Sequence, residues 1–538
     1  MNIIDELKEI IKSALQELGQ NVELNDIIVE RSKDTNHGDY ATNTAMKFCR
    51  VFGKSPIDVA KMIISKIDSP SIFKVEIAGP GFINFFVKSD SLQSVIKKIV
   101  AEDEKYGAGE RQNLKVNVEF VSANPTGLLH VGTARGAAFG DSLCRILDFA
   151  GYDVTREYYI NDAGSQITHL GESIRERYKE LLCLPFELPE DGYHGQDVKE
   201  IAIELKEKYG DHLLEEKDLS FFMEEGMKTE LARIVKDLEQ FRVKHDVFSS
   251  EKTLRSNNAV DKELAYLKPY SYVEEGATFL KTTEFLDDKD RVIVKSDGDC
   301  TYFLPDIIYH VNKMSRGFDK LIDILGADHH GYLARMKSAL MMHGYSSDVL
   351  DFELIQMVRF IKDGEEYKAS KRAGDAITLR SICDEVGVDA MRYFFAMRAP
   401  NSHLNFDMNL AKEQSSNNPV YYAQYAHARL CSVLSQSTDI CIDLDGKNLK
   451  MPSEIALMKH LAFFPNAVND ASKERAPYKI TNYIHELAGL IHGFYTECRV
   501  IDRDNIEVTS SRLALCKASQ IVIRNALSLI GVEAPTHM

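Results

Sequence analysis

The stretch Ser122-Ala123-Asn124-Pro125-Thr126-Gly127-Leu128-Leu129-His130-Val131-Gly132-Thr133 decides how the chain folds. Just before it, Val116, Val118 and Phe120 alternate with polar residues, as in a strand. A Pro-Thr-Gly turn follows, and then a run of small residues suited to a helix. A helix starting at the end of a strand offers free N–H groups and a positive dipole end to a phosphate. His130 falls at that start, where it can donate to a phosphate oxygen as charge develops. Gly132, Gly136 and Gly140 recur every four residues and leave one helix face bare, so that a flat base or a backbone can approach. Taken alone, the glycines fit tight packing of the helix on the sheet better than a ligand face.

Working outward, Val154 to Ile160 reads as a second strand, and a charged helical stretch covers about Thr168 to Arg242. Leu321-Ile322-Asp323-Ile324-Leu325 is a short apolar run ending at Gly326. Strands separated by helices predict a Rossmann-like α/β core with a parallel sheet over 111–380, carrying a helical insertion. Upstream, Ile3, Ile4, Leu7, Ile10, Ile11, Leu15 and Leu18 recur at helical spacing. Turn signals and the strand-like Phe82 to Val87 then predict a small α+β domain over 1–110, with the polar stretch Ala101 to Asn113 as its linker. From about Ser381 onward apolar residues recur at three and four, which predicts an all-α domain over 381–538. Its last helix spans Leu513 to Ile530, before Gly531 and Pro535.

At 538 residues the chain has room for three or four domains. Its hydrophobic fraction of 44% and charged fraction of 27% suit a globular enzyme-sized core and exclude a disordered or membrane-embedded chain. The net charge of −17 excludes a general nucleic-acid coat, so a polyanion must be held by local basic patches. Nine cysteines without a C-x-x-C pair argue against a zinc ribbon and a disulfide framework, and for a reduced, cytoplasmic setting. Asp5, Glu6 and Glu9 interrupt the opening helix as no signal peptide would, and no apolar run is long enough for a membrane span.

A second chemistry-bearing stretch is Lys368-Ala369-Ser370-Lys371-Arg372-Ala373-Gly374. Three cations with Ser and Gly make a flexible clamp able to close on a triphosphate. Alone it could equally be a solvated basic loop.

Together the two stretches resemble the HIGH and KMSKS signatures of class I aminoacyl-tRNA synthetases. More closely, the chain is similar to the bacterial arginyl-tRNA synthetase family through nearly its whole length. The resemblance is carried by His37-Gly38-Asp39-Tyr40-Ala41-Thr42-Asn43, Ala78-Gly79-Pro80-Gly81-Phe82 and Tyr159-Ile160-Asn161-Asp162-Ala163-Gly164. It continues through Phe241-Arg242-Val243, Asp287-Asp288-Lys289-Asp290-Arg291, Tyr302-Phe303-Leu304-Pro305-Asp306 and Gly326-Ala327-Asp328-His329-His330-Gly331-Tyr332. It ends with Asp389-Ala390-Met391-Arg392-Tyr393-Phe394 and Asn418-Pro419-Val420-Tyr421-Tyr422. Two positions depart from the signatures. Thr133 stands where the second HIGH histidine would, and Ala369 where the KMSKS methionine would. A hydroxyl can still give one hydrogen bond to a phosphate but carries no charge.

The resemblance implies ATP-dependent ligation of L-arginine to its tRNA through an arginyl-adenylate, with release of AMP and pyrophosphate. It implies catalytic roles for His130, Lys368 and Lys371, and ATP contacts from Pro125, Thr126, Gly127, His130, Gly132, Thr133 and Ser370. Arginine would be met by Glu119, Ser122, Asn124, Tyr302, Asp306, Asp328 and His329, because a planar, permanently charged guanidinium needs carboxylates in a fixed fork. Without the resemblance, Asp306 would read as a helix cap or surface ion pair, and Glu119 as a satisfied strand carboxylate. Mg2+ would arrive with ATP, held by phosphates and water, and no protein-bound zinc is expected. Asp328-His329-His330 suits the substrate pocket better than a metal site, since no third ligand at zinc spacing is evident. The helical tail resembles the family's anticodon-binding bundle, with Tyr421, Tyr425 and Arg429 as tRNA contacts and some of its tyrosines buried. The first domain resembles the module that meets the tRNA elbow. A monomer in the cytoplasm is expected, without a membrane partner. Two other readings stay open: a related nucleotidyltransferase acting on a small acid, and a non-catalytic RNA-binding paralogue.

Overall fold

The computed structural model describes residues 3–32, 38–87, 89–327, 331–367 and 377–538. Of the expected site residues, Asp328, His329, Lys368, Ser370 and Lys371 lie outside them.

The chain opens with α1 (Ile3–Glu17), β1 (Val29–Arg31), β2 (Tyr40–Thr42), α2 (Thr44–Phe52), α3 (Pro56–Ile64), β3 (Ile72–Ala78), β4 (Phe82–Val87) and α4 (Ser89–Glu102). The strands form an antiparallel sheet in the order β1-β2-β4-β3. Leu7, Ile11 and Leu15, one face of α1, close a core with Val59, Ile63 and Phe85.

The catalytic-type core begins with β5 (Lys115–Glu119), α5 (Ala134–Phe149) and β6 (Asp153–Ile160). A helical excursion follows as α6 (Ser165–Leu181), α7 (Gln196–Tyr209), α8 (Leu213–Glu216) and α9 (Leu219–Gln240). Then come β7 (Val247–Ser250), α10 (Glu251–Leu254), α11 (Ala259–Leu267) and a meander of β8 (Ser271–Glu274), β9 (Ala277–Leu280) and β10 (Arg291–Val294). The chain returns through α12 (Phe303–Ser315), β11 (Lys320–Gly326), α13 (Tyr332–Met342) and β12 (Leu350–Ile355). The parallel sheet has the order β12-β11-β5-β6-β7. The strand order reverses between β5 and β11, and in such sheets ligands bind in the crevice at the carboxyl ends of those strands. The loop quoted above leaves β5 at that point.

The remaining elements are β13 (Val358–Lys362), β14 (Glu365–Glu366), α14 (Leu379–Val386), α15 (Val388–Ala396), β15 (Leu404–Asp407), α16 (Met408–Lys412), α17 (Pro419–Ser435), α18 (Pro452–Lys473), α19 (Pro477–Glu497) and α20 (Ile506–Leu529). Two expectations fail here. The tail is not purely helical, because β15 pairs in parallel with β13 through Val358↔Leu404 and Phe360↔Phe406. Four residues of alternation are too short to stand out from the surrounding helical periodicity. Nor is Ala101 to Asn113 a loose linker. Tyr106 is buried and donates its hydroxyl to the Leu461 carbonyl, while Asn525 donates to the Asp103 carbonyl. The apolar core runs without a break from Val118, Phe139 and Leu143 to Leu457, Phe464 and Leu513.

Candidate active site

The loop after β5 turns sharply because Val121 (φ 72°) and Ser122 (φ 40°) take left-handed backbone. Ser122 Oγ donates to Glu119 Oε1 at 3.0 Å and accepts the Tyr159 N–H at 3.0 Å. The Tyr158 hydroxyl holds the Ala123 carbonyl at 2.6 Å, and Asn124 Nδ2 donates to Gln166 Oε1 at 2.6 Å. Pro125 and Thr126 are buried, while Gly127 lies beside the start of α7, 3.5 Å from Asp197 Oδ2 to a Cβ built on it.

His130 Nδ1 accepts the Gly132 N–H at 2.8 Å. That fixes the ring proton on Nε2, an exposed donor at the mouth of the helix. The Thr133 hydroxyl is committed elsewhere: it donates to the His130 carbonyl at 2.8 Å and so closes the first turn. The three glycines divide. At Gly140 a Cβ would come within 2.4 Å of Phe120 Cγ, which is helix-on-strand packing. At Gly132 it would press on the His130 ring at 3.0 Å. At Gly136 it would meet nothing within 4 Å, so this part of the face is open.

The lysine-rich stretch 368–376 lies outside the described residues, but the chain after it is tied to the His130 loop. Val131 donates to the Ile377 carbonyl at 2.9 Å, Leu379 to Leu129 at 2.8 Å, and His130 bridges Thr378. Buried Arg135 fixes the facing loops by donating to the carbonyls of Gln356, Ala399 and Ser402 at 3.0, 2.8 and 2.7 Å.

Across the crevice, Asp306 sits in the first turn of α12. Burial pushes its pKa up to about 6, against the Tyr332 hydroxyl, which donates to it, and nearby His310. Among the described residues it has no lysine or arginine partner. Tyr332 was not singled out from sequence as a site residue. The signal lay in its position six residues beyond Gly326, at the carboxyl end of β11. Glu119 is differently placed: Lys313 Nζ holds Oε2 at 2.5 Å while Ser122 holds Oε1. Tyr302 precedes the first turn of α12 without a side-chain capping bond and is 85% exposed, so it is not gathered against Asp306.

On α17, the Tyr421 and Tyr425 rings stack at 6.1 Å, and Tyr425 stacks on His492 at 5.8 Å. The Arg429 guanidinium lies 3.5 Å over the Tyr495 ring. The expectation that some of this helix's tyrosines are buried fails, since Tyr421 and Tyr422 are half-buried and Tyr425 is exposed. The inward face is taken by Gln424, bonded to Asp389 at 2.8 Å, and His427, bonded to the Pro535 carbonyl at 2.8 Å. Among the described residues no helix is long and apolar enough to cross a membrane, and no group of three or more His, Cys, Asp or Glu could hold a metal ion.

Family models match the chain end to end. They are the arginyl tRNA synthetase N terminal domain at residues 5–87, the tRNA synthetases class I (R) catalytic domain at 95–432, and the DALR anticodon binding domain at 423–538. The arginine–tRNA ligase of Bacillus subtilis (strain 168) is 49% identical over 556 residues, covering all of both chains. That of Geobacillus kaustophilus (strain HTA426) is 49% identical over 557 residues with the same coverage. The Thermus thermophilus arginyl-tRNA synthetase structure covers all of both chains with a TM-score of 0.78 at 20% identity, a likeness of fold. With half its residues shared along the full length of such relatives, and the switch-point crevice where class I chemistry needs it, the chain belongs to the arginyl-tRNA synthetase family.

Proposed function

We propose that the crevice between β5 and β11 ligates L-arginine to its tRNA at the expense of ATP. The observation that supports this most is Asp306, a half-buried carboxylate without a lysine or arginine partner among the described residues, in a crevice whose other wall is a helix start suited to phosphate. A desolvated carboxylate that no lysine or arginine pairs favours a cationic ligand. In the first step the arginine carboxylate attacks the ATP α-phosphorus, and the bond to pyrophosphate breaks. His130 Nε2–H donates to a phosphoryl oxygen, with Lys368 and Lys371 supplying further positive charge. In the second step the terminal adenosine hydroxyl of the tRNA attacks the activated carbonyl, and AMP leaves. The protein supplies position and charge rather than a covalent nucleophile.

In this reading Pro125, Thr126, Gly127, Gly132 and Ser370 line the ATP, with Mg2+ carried by its phosphates. Asp306 anchors the guanidinium, with Glu119, Asp328 and His329 as its further partners, while Ser122 and Asn124 meet the α-groups. The α17 stack of Tyr421, Tyr425 and Arg429 receives anticodon bases, and the N-terminal module meets the elbow. The division at 1–110, 111–380 and 381–538 is the working one for these tasks, with a monomer in the cytoplasm. Charging of tRNA with labelled arginine, against lysine and no-tRNA controls, tests the reading. ATP consumption with a small acid in place of tRNA would favour a nucleotidyltransferase, and tRNA binding without turnover a non-catalytic protein.

A further inference from the structure

Asp323 on β11, Glu119 on β5 and Glu157 on β6 face one another in register, Asp323↔Glu119 and Glu119↔Glu157. Neighbouring strands lie about 4.8 Å apart, and like charges directly opposite repel. All three side chains are 10% exposed or less, so water does little to screen them. One helix answers the whole row. From α12, His310 Nε2 meets Asp323 at 2.7 Å, Lys313 Nζ meets Asp323 at 2.8 Å and Glu119 at 2.5 Å, and Arg316, just past the helix end, meets Glu157 at 2.7 Å. The other His310 nitrogen faces the Asp306 carbonyl at 2.7 Å. An acceptor on each side favours a proton on both ring nitrogens, and against the cost of burial the Asp323 carboxylate raises the pKa of the imidazole. Three bases at i, i+3 and i+6 therefore sit over three carboxylates on three strands, and the same helix carries Asp306 four residues before His310.

Lys313 is the centre of this arrangement. Its side chain is fully buried, it bridges two of the acids, and its ammonium stands 4.3 Å over the Tyr309 ring, whose hydroxyl reaches Glu157. It neutralises Glu119 from beneath and leaves that carboxylate aimed, through Oε1, at Ser122 of the loop. Asp306 has no such cation among the described residues.

We propose that Lys313 is a positioning residue for arginine recognition, holding Glu119 and the register of α12 on the sheet so that Asp306 is left to answer the guanidinium's charge. This rests on the arginine reading of the site. The test is steady-state tRNA charging by the full-length protein, with KM for arginine and for ATP, kcat and Tm measured together. Lys313→Met is expected to raise the arginine KM at least tenfold while the ATP KM stays within twofold. Lys313→Met combined with Asp323→Asn removes one charge of each sign. It should recover most of the lost Tm while keeping the raised arginine KM, which a purely structural role would not do. In a Glu119→Gln background, adding Lys313→Met should raise the arginine KM little further, because both changes act through one carboxylate. An unchanged arginine KM in the folded double variant would overturn the proposal, as would effects of Lys313→Met and Glu119→Gln that simply multiply. So would a double variant that does not fold, since Lys313 is held to contribute charge balance rather than shape. If the wild-type protein fails to charge arginine at all, the fault lies with the reading of the site, not with Lys313.

Discussion

Asp306 keeps its proton up to about pH 6, chiefly because desolvation disfavours its charged form. Only the ionised form attracts a guanidinium, so the arginine KM should be flat above that pH and rise up to tenfold per unit below it. An Asp306→Asn enzyme should lose that dependence, which a pH series of arginine KM would register. Thr133 is expected to behave as a capping residue. Its hydroxyl bonds the His130 carbonyl, so Thr133→Val should cost about 1 kcal/mol of stability and leave kcat for arginyl transfer nearly unchanged. Melting temperature and kcat on one preparation decide it, and a tenfold fall in kcat would return the hydroxyl to the phosphates. The cation row beneath the pocket left two traces in the sequence, Glu119 at the end of the first strand and the single acid of Leu321-Ile322-Asp323-Ile324-Leu325. A carboxylate inside an apolar strand must be paired. Which helix supplies the base is a tertiary fact, and the spacing of His310, Lys313 and Arg316 alone does not point to a strand.

At the scale of elements, α5 shows what glycine spacing can and cannot say. The four-residue repeat was readable, and its two uses were not, because only the neighbours distinguish them. Gly140→Ala should destabilise by about 1–3 kcal/mol, since the new methyl meets the Phe120 ring. Gly136→Ala meets nothing and should gain up to about 1 kcal/mol of helix propensity, while raising the ATP KM if that open face receives the nucleotide. Chemical denaturation of the two variants, with ATP kinetics on the second, separates packing from binding. Three of the five parallel strands, β5, β6 and β11, and the opening and closing helices were legible from periodicity, while β7 and β12 were not read. β15 was missed because a four-residue strand gives two alternations, and the docked segment around Tyr106 because its polar composition hides one buried ring.

For the whole molecule, continuity of the core changes how the C-terminal helices should be tested. Cutting at Ser381 would strip α18 and α20 from Tyr106 and open the cluster that includes Phe139 and Leu143. The remainder is expected to unfold, so its inactivity would say nothing about tRNA. Tyr425→Ala with Arg429→Ala removes a stacking surface and leaves the core intact. It should raise the tRNA KM about tenfold or more, given roughly 1–3 kcal/mol per stacked base, with the arginine and ATP KM values unmoved. The most direct single measurement is charging of tRNA with labelled arginine by wild-type and Asp306→Asn proteins, as arginine and then ATP is varied. The expected result is charging with arginine and not lysine. In Asp306→Asn the arginine KM should be higher by on the order of a hundredfold, about 3 kcal/mol for a buried charge left unpaired, and the ATP KM nearly unchanged. Equal shifts in both KM values, or equal charging with lysine, would contradict it.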